Sequence, residues 1–584
     1  MPADPIVTHE PVDDVPVIIA WLLAMRVPTL IDALLPKPHR SWQGLSYGQV
    51  VVIWLAYMLT QCDHRMSPVE EWVGQRQEVL QRCTTWSLSR RDLTDDRLEH
   101  VLDLLGDEQT HPWEALDREL GQHLIQAYRL PTAMARIDTT SFSVHHAATG
   151  PNGQPYSLLR FGHSKDHRPD LRQFVQALGT LDPVGVPLVS AMLRGNQNDS
   201  PVYLPIWRQM VEIIGRADFV LVGDCKLSSL GNRVQLHLEG GIYLSPLAMT
   251  GQWPKVLADW VLDPPVVVED LRLGDSESGQ AGAMSHRGFA MTLGTLGQHP
   301  TTQARVGWQE QVFVVCNLSR AQRAVADLHE HLRRAEAALV QLDGQSGADR
   351  SRLEQQVAAV LAKEKVVDYL EVSVREVVVP QERLVGPGRP GPNRQKRVVE
   401  QRHLELVVRR EAAAIERAEL LAGWRLYVTN ASSEQMSLAQ GVSYYREQWQ
   451  PERGFHRWKG GELSALPLYL KHEARIRGLM TVLSVGLRVL TLVEFVTRRE
   501  LSHRQEQLAG LYEGNRKRAT DRPTTERLLR VFEGIVLYRW QIGEQVSYQL
   551  SPLTDLHRRI LDLMSLPANL YARLGPNALF ADTG

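Results

Sequence analysis

The chain has 584 residues, too many for one ordinary domain core, and its 43% apolar and 23% charged residues are typical of a soluble globular protein. Its formal net charge of −2 excludes a global positive field, so a nucleic-acid partner would have to be held by local basic patches. Four scattered cysteines without a CxxC pair argue against a zinc site or a disulfide framework, and a reducing cytoplasm is the expected compartment.

Residues 1–130 predict an N-terminal helical domain. Apolar residues recur three and four apart in "VPVIIAWLLAMRVPTLIDALL", "SYGQVVVIWLAYMLTQC" and "LTDDRLEHVLDLLGDE". Such a domain could bind DNA ends through a helix-turn-helix. No basic recognition helix stands out in it, however, and a purely structural role is at least as well supported.

Residues 131–226 predict the first part of a mixed α/β sheet. "AMARIDTTSFSVHH" has the alternation and branched residues of a strand, and "FVQALGTLDPVGVPLVSAMLRG" indicates two strands joined by the turn "DPVG". "VEIIGRADFVLVGDCK" then predicts a helix followed by a buried strand that ends at Asp224. This order of elements favours an α/β fold.

Residues 227–420 predict an insertion domain that interrupts this core. Apolar residues recur at heptad spacing, and a second helix-like stretch, "DRSRLEQQVAAVLAKEKVVDYL", follows. Together they predict an antiparallel helical hairpin over 319–370. "GPGRPGPNRQKR", at 386–397, predicts a flexible linker, although its GRP sequence also occurs in minor-groove arms. The stretches "LELVVRREAAAI" and "GWRLYVTN" again have the residue pattern of strands, and the second is placed to rejoin the sheet.

Residues 421–500 predict the second part of the core, and 501–584 a helical and basic C-terminal region. "GLMTVLSVGLRVLTLVEFV" approaches the length of a membrane span, but Arg488 and Glu494 within it favour a buried core helix, and no membrane partner is expected. The basic stretch "GNRKRATDRPTTERLLR" could contact DNA or form a solvated surface.

One stretch, "YREQWQPERGFHRWKG" at 445–460, places a carboxylate inside a basic run. Tyr445, Glu452 and Lys459 are seven residues apart, so on one helix they would share a face. Pro451 requires that such a helix kink or begin near it. A solvated basic helix, in which Glu452 makes ordinary salt bridges, is the simplest alternative.

Glu452 could have a catalytic role if folding brings it close to two other carboxylates. Asp138 lies in the strand-like "RIDTTS" and Asp224 ends the strand "VLVGD". Three carboxylates at one sheet edge could hold two Mg²⁺ ions, which prefer oxygen ligands. Two such ions can activate a water or a 3′-hydroxyl and stabilise the leaving oxygen of a phosphoryl displacement.

The stretch resembles the signature of bacterial insertion-sequence DDE transposases of the Tyr-Arg-Glu-Lys group, the insertion sequence four superfamily. Tyr445, Glu452 and Lys459 match it, whereas Gln448 stands at the position of the signature arginine. "RIDTTSF" and "VLVGDCKLSS" resemble the strands of the two aspartates, and "GHSKDHRPDLRQF" is similar to a segment of one branch of the family. The resemblance covers roughly residues 45–500, with 228 positions between Asp224 and Glu452.

This resemblance implies a ribonuclease-H-like α/β core with a large insertion domain. The implied enzyme is a Mg²⁺-dependent endonuclease and strand transferase that binds transposon ends, cuts them and joins them to a target. Asp138, Asp224 and Glu452 would be catalytic and would bind two Mg²⁺ or Mn²⁺ ions. The implied partners are double-stranded DNA, both terminal inverted repeats and target DNA, and a second copy of the chain in a homodimer on DNA, within the bacterial nucleoid.

Eight residues are candidate DNA contacts. The resemblance assigns phosphates or an end-flanking base to Tyr445 and Lys459. Gln448 offers hydrogen bonds without charge, for which Arg446 or Arg453 could compensate in part. In "GHSKDHRPD" the spacing matches no zinc motif, and the loop is predicted to contact phosphates through three residues: Lys165, His167 and Arg168. The alternative is a catalytically decayed DNA-binding protein of the same fold, with Gln448 as its first sign.

Overall fold

The computed structural model describes residues 6–147, 149–151, 153–198, 200–273, 284–343, 349–385, 396–446 and 449–575. The chain divides into two compact units. Unit 1 comprises Met1–Ser245, Thr295–Trp308 and Tyr444–Gly584, and unit 2 comprises Pro246–Gly294 and Gln309–Ser443. Unit 2 thus lies within the long separation between Asp224 and Glu452, although it begins and ends later than the predicted insertion domain, 227–420.

Helices dominate the N-terminal part of unit 1, as predicted. The elements in order are β1 (Ile6–Pro11), α1 (Val15–Ala24), α2 (Val27–Leu34), α3 (Tyr47–Gln61), α4 (Val69–Gly74), α5 (Gln77–Thr84), α6 (Asp95–Leu105) and α7 (Pro112–Tyr128). Helix α3 begins with a capping box, in which the Ser46 hydroxyl accepts from Gln49 N and the Gln49 side chain accepts from Ser46 N. Its mainly apolar residues are almost all buried.

A mixed sheet follows, which confirms the α/β prediction. The elements are β2 (Met134–Val144), β3 (Arg172–Leu181), β4 (Pro187–Arg194), α8 (Tyr203–Ile214), β5 (Val220–Val222), α9 (Leu230–Leu238) and β6 (Ile242–Pro246). In the order β4–β3–β2–β5–β6, the first three strands are antiparallel, and β5 and β6 run parallel to β2. Helix α8 packs on β2, β3 and β4 through its apolar face and ends at Gly215, which has a φ of +83°.

Unit 2 contains a second set of strands and the predicted helical hairpin. Its elements are α10 (Trp253–Leu262), β7 (Glu269–Arg272), β8 (Met284–Gln298), β9 (Arg305–Asn317), α11 (Leu318–Leu342), α12 (Arg350–Glu364), β10 (Leu370–Leu384), β11 (Lys396–Arg410), α13 (Ala412–Leu421) and β12 (Trp424–Thr429). Strand β12 pairs antiparallel with β9. Helices α11 and α12 share an apolar core with the start of β10 and the end of β11. Most of the predicted linker, 386–395, lies outside the described residues.

The C-terminal part of unit 1 is less helical than predicted. Helix α14 (Leu438–Arg446) begins in unit 2 and enters this part at Tyr444. The part itself contains α15 (Trp449–Gly460), α16 (Glu473–Arg504), β13 (Leu508–Ala509), β14 (Ala519–Thr520), α17 (Thr525–Arg530), β15 (Val536–Ile542), β16 (Gln545–Leu550) and α18 (Asp555–Leu563). The prediction of a helical 501–584 region is therefore corrected, since β15 pairs antiparallel with both β16 and β1. The alternating "VLYRWQIGEQVSYQL", with Gly543 in the turn at a φ of +60°, carries the local signal for this hairpin.

Helix α16 is the buried core helix that its sequence predicted. Among the described residues it is the single helix long and apolar enough to cross a membrane, with α1 and α2 passing only as a bent pair, and 94% of its most apolar stretch is buried inside the protein. The charge of Arg488 is paired with Asp117 Oδ1 at 2.6 Å, as burial requires. A Cβ on Gly478 would overlap the main chain of Leu102, so glycine there allows α16 to approach α6 closely.

Candidate active site

Two of the predicted carboxylates lie just beyond the paired part of two parallel strands, β2 and β5. In the pairing of β2 with β5, Arg136 is opposite Val222. Asp138 lies two residues further along β2, and Asp224 lies two residues after Val222, just beyond the end of β5. The two carboxylates are close enough for the charge of Asp224 to raise the pKa of Asp138.

Asp224 is held in place by two donors. The phenol of Tyr203, in the first turn of α8, donates to Asp224 Oδ1 at 2.6 Å, and the main-chain N–H of Lys226 donates to the same oxygen at 2.8 Å. Burial and the neighbouring Asp224 carboxylate raise the pKa of the Tyr203 phenol well above its ordinary value. Tyr203 therefore remains a protonated donor that fixes the orientation of Asp224.

Asp138 lies where negative charge is concentrated. The pKa of its carboxyl is raised to about 6, chiefly by burial and also by the charges of Asp224 and Glu452, while the Lys165 ammonium and the Thr139 N–H lower it. The Lys165 ammonium donates to Thr139 O at 2.5 Å and to Thr139 Oγ1 at 2.8 Å. The structure thus brings Lys165, predicted as a phosphate contact, beside the carboxylates.

Glu452 lies in the first turn of α15, is exposed, and is near enough to Asp138 to act on its pKa. Helix α15 begins at Trp449, so Pro451 is its third residue and causes no kink within it. Tyr445 belongs to the preceding helix, α14. The expectation of one shared helical face is therefore corrected: only Glu452 and Lys459 lie on the same helix.

The helices that carry this stretch are tied to β2 by a buried arginine. Arg136, on the same face of β2 as Asp138, donates from Nη2 to the main-chain oxygen of Tyr444 at 2.5 Å. Its Nε and Nη2 also donate to Asp182 Oδ2, and both side chains of this ion pair are fully buried. Arg136 thereby links the strand of one carboxylate to the segment that leads to Glu452.

Two arginines of the basic run bind a carboxylate on α16. Arg453 forms a two-point ion pair with Glu494 at 2.5 and 2.8 Å, and Arg457 pairs with Glu494 and Glu526 at 2.6 Å each. Burial alone would raise the pKa of Glu494, but the guanidinium groups around it hold that pKa below its ordinary value. The guanidinium of Arg453 is therefore engaged in holding α15 on α16, and its predicted DNA contact would have to compete with this ion pair.

Lys459 is paired with the loop that follows β2. Its ammonium lies 2.6 Å from Asp166 Oδ1 and 5.5 Å from the centre of the Phe142 ring. The segment "GHSKDHRPD" therefore lies beside the C-terminal turn of α15, although the two are almost 300 residues apart in sequence. Asp166, which received no role from the sequence, is the partner that orients Lys459.

The other predicted DNA contacts lie in α14 and in the loop that contains Lys165. Tyr445 is half-buried near the end of α14, and Arg446 is exposed at its last residue. His167 is exposed, with a φ of +57°, and the exposed guanidinium of Arg168 pairs with Asp170 at 2.7 Å. Gln448 lies outside the described residues.

The cluster fits a divalent cation in part. No group of three His, Cys, Asp or Glu side chains within the described ranges is close enough to hold a metal ion. The pair of Asp138 and Asp224 does suit Mg²⁺, which is often held by one or two carboxylates together with waters. Burial is the main cause of the raised pKa of Asp138, with a smaller contribution from the charges of Asp224 and Glu452, and a bound cation would favour the charged form. Glu452 is the third carboxylate near this pair.

The sequence did not predict the contacts that Arg136, Tyr203 and Glu494 make in the site. Arg136 could have been found, since it stands two residues before Asp138 and so shares its face of the strand. Tyr203 and Glu494 carry no local signal, because each is defined by a partner distant in the chain.

No protein-family model and no curated relative matches the chain. Among solved structures, the chain is similar to a piggyBac transposase, determined by cryo-EM in a synaptic complex with hairpin DNA. The alignment has 8% sequence identity, covers 99% of this chain and 85% of that chain, and gives a TM-score of 0.33. A TM-score this low carries no argument about the fold or the function of this chain.

Proposed function

We propose that the protein is a DDE transposase that binds the ends of a DNA element, cuts them and joins them to a target. The observation that supports this proposal is the parallel pairing of β2 with β5, because Asp138 follows Arg136 and Asp224 follows Val222 by two residues, and the charges of Asp224 and Glu452 both act on the pKa of Asp138. The local sequence of each carboxylate also resembles the corresponding motif of the Tyr-Arg-Glu-Lys group.

The order of elements supports a ribonuclease-H-like core. Three antiparallel strands, a helix and two parallel strands precede unit 2, and α15 with Glu452 follows it. This is the arrangement that the resemblance implied, with the second aspartate at the end of a buried strand. A chain of this kind has to bring distant carboxylates together by folding, as the Arg136 contact with Tyr444 does here.

Asp138, Asp224 and Glu452 would hold two Mg²⁺ or Mn²⁺ ions, which would activate a water or a 3′-hydroxyl and stabilise the leaving oxygen. Tyr203 would keep Asp224 in one orientation, since its phenol remains protonated. The Lys165 ammonium is placed to attract a phosphate toward the carboxylates, and Lys459 could do so on release from Asp166.

The proposed partners are double-stranded DNA with terminal inverted repeats, target DNA and a second copy of the chain. Two DNA ends need two active sites for joining, so a homodimer on DNA is the expected assembly. The net charge of −2 means that binding has to rely on local cations, such as Lys165 near Asp138.

A catalytically decayed DNA-binding protein is the second candidate. It is favoured by Gln448 at the signature arginine, and by the lack of a three-residue metal cluster among the side chains described. The two candidates differ in one measurable property, which is metal-dependent cleavage.

The test is cleavage and binding of DNA by Asp138→Asn and Asp224→Asn. We expect each substitution to abolish cleavage while DNA binding survives, because the carboxylates serve chemistry more than affinity. Cleavage retained in either variant would remove that residue from the active site. Specific binding by the wild type without any cleavage would favour the decayed protein.

A further inference from the structure

The two-stranded ribbon of unit 2 extends beyond its own core. Strands β10 and β11 pair antiparallel over fifteen residues each, from Leu370 opposite Arg410 to Leu384 opposite Lys396. The apolar core shared with α11 and α12 involves only one end of the ribbon, up to the pair of Val374 and Leu406 and the adjoining Leu404. The remaining residues are mostly exposed.

The two faces of the ribbon differ in charge. Alternate residues share a face, and the register defines a distal outer face on the side opposite the helical core. This distal outer face consists of Val377, Val379, Gln381, Arg383, Arg397, Val399, Gln401 and His403. It contains no carboxylate.

Arg383 and Arg397 are directly opposite each other on the distal outer face, and both are exposed. Like charges in such a cross-strand pair are destabilising unless an anion lies between them. Within the part of the chain that the structure describes, neither guanidinium forms an ion pair or a side-chain hydrogen bond.

Closer to the core, the cross-strand pairs on the same face join residues of opposite charge. There Arg409 is opposite Glu371, and Arg375 is opposite Glu405, so each cation faces a carboxylate. The opposed arginines are therefore a local feature of the distal part.

On the other face of the distal ribbon, the basic residues form ion pairs with carboxylates of the same face. Lys396 lies 2.7 Å from Glu382, and Arg402 lies 3.5 Å from Glu376. These ion pairs leave that face without unsatisfied positive charge. The asymmetry between the two faces indicates that only the outer one is suited to an anionic partner.

We infer that the distal outer face of the ribbon docks onto duplex DNA. The major groove admits a two-stranded β-ribbon, and arginine and glutamine are residue types that bind phosphates and base edges there. The stretch from Val377 to Arg383 spans about 20 Å, less than one helical turn of DNA, which is about 34 Å. The opposed arginines would then be neutralised by phosphates.

A second copy of the chain fits this face less well than DNA does. In a two-fold interface the same patch meets itself, so Arg383 and Arg397 would face the same arginines of the partner. The inference rests on the proposed function for the presence of DNA, and it adds a binding surface separate from the carboxylate cluster.

The test compares two double variants of the full-length chain that each remove two positive charges. Arg383→Gln with Arg397→Gln alters the outer face, and Lys396→Gln with Arg402→Gln alters the opposite face as a matched control. Binding of a labelled duplex of random sequence is measured at about 50 and about 200 mM salt. All four side chains are exposed, and circular dichroism checks that the variants are folded.

We expect the outer-face variant to bind DNA more weakly than the control and with less dependence on salt. The loss of two phosphate contacts should reduce the drop in affinity between the two salt concentrations by about tenfold. Equal weakening by both variants would overturn the inference, because the effect would then be one of total charge.

Failure of the inference is distinguishable from failure of the proposed function. If the wild type binds and cuts DNA and the outer-face variant binds equally well, the ribbon surface is wrong and the transposase proposal stands. If the wild type neither binds nor cuts DNA, both are wrong. A changed oligomeric state by light scattering, with unchanged DNA affinity, would assign the face to a second copy and overturn the inference.

Discussion

The guanidinium of Arg136 donates a hydrogen bond of 2.5 Å to the main-chain oxygen of Tyr444, across 308 positions of sequence. The same group neutralises Asp182, which is fully buried with it. A single side chain thus stabilises a charge inside unit 1 and ties β2 to the segment that precedes Glu452.

Arg136→Met should destabilise unit 1 by about 3 to 5 kcal/mol, because it removes the guanidinium that neutralises the buried Asp182 carboxylate. Thermal or urea unfolding measures this change. Arg168→Met is the matched control, since it breaks an exposed ion pair with Asp170 that contributes little to stability. Equal stability of the two variants would show that the buried pair is not needed for the fold.

Tyr203→Phe should reduce the rate of DNA cleavage while leaving DNA affinity unchanged, because Asp224 loses the phenol that orients it. The expected cost in stability is about 1 kcal/mol. Tyr571→Phe removes a similar buried hydrogen bond, from the phenol to Asp13 O at 2.7 Å, and should leave cleavage unaffected. If both variants slow cleavage equally, the effect of Tyr203 is one of general stability.

Asp14 should make the stability of unit 1 depend on pH. Burial raises the pKa of this carboxyl to about 7, against the hydrogen bond that Thr60 donates to it at 2.8 Å. A raised folded-state pKa gives a contribution that is fully present below about pH 4 and is lost as the pH rises through about 7. The wild type should therefore lose a few kcal/mol of unfolding free energy across this window from Asp14 alone.

Asp14→Asn keeps the hydrogen-bond acceptor and removes the titration. We expect the variant to be more stable than the wild type at pH 8 and similar to it at pH 4, as measured by urea unfolding. Asp96→Asn, which removes an exposed carboxylate in the first turn of α6, is the control. A wild-type advantage at pH 8 would contradict the predicted sign.

Asp166→Asn should increase the affinity for duplex DNA by a few fold at low salt, because it releases the Lys459 ammonium from its ion pair. The slope of log affinity against log salt should steepen by about 1. Lys459→Gln should have the opposite effect on both quantities. No change in either variant would remove Lys459 from the predicted DNA contacts.

The sequence predicted the elements of the site better than the contacts that hold them. Alternation in "RIDTTSF" and the apolar run before Asp224 were local signals: Asp138 lies in β2 as predicted, whereas Asp224 lies two residues beyond the end of β5. Tyr203 and the Tyr444 carbonyl act at a distance of 21 and 308 positions, and no local pattern marks such partners.

Two predictions about local structure were wrong, one about the helix of residues 445–459 and one about the β15–β16 hairpin. Pro451 allowed a helix that begins near it as well as a kinked one, and the structure separates Tyr445 from Glu452 by starting α15 at Trp449. The hairpin of β15 and β16 was overlooked because its region is rich in charge, although the strands alternate around Gly543. Tertiary pairing with β1 then stabilises strands of modest apolar content.

The most direct measurement is Mg²⁺- or Mn²⁺-dependent cleavage of a DNA fragment that carries the sequences flanking the gene, with wild type and Glu452→Gln compared. Glu513→Gln, which alters an exposed carboxylate outside the cluster, is the control. We expect specific cuts at inverted repeats by the wild type and the control, and none by Glu452→Gln. Undiminished cleavage by Glu452→Gln would contradict a catalytic role for this carboxylate.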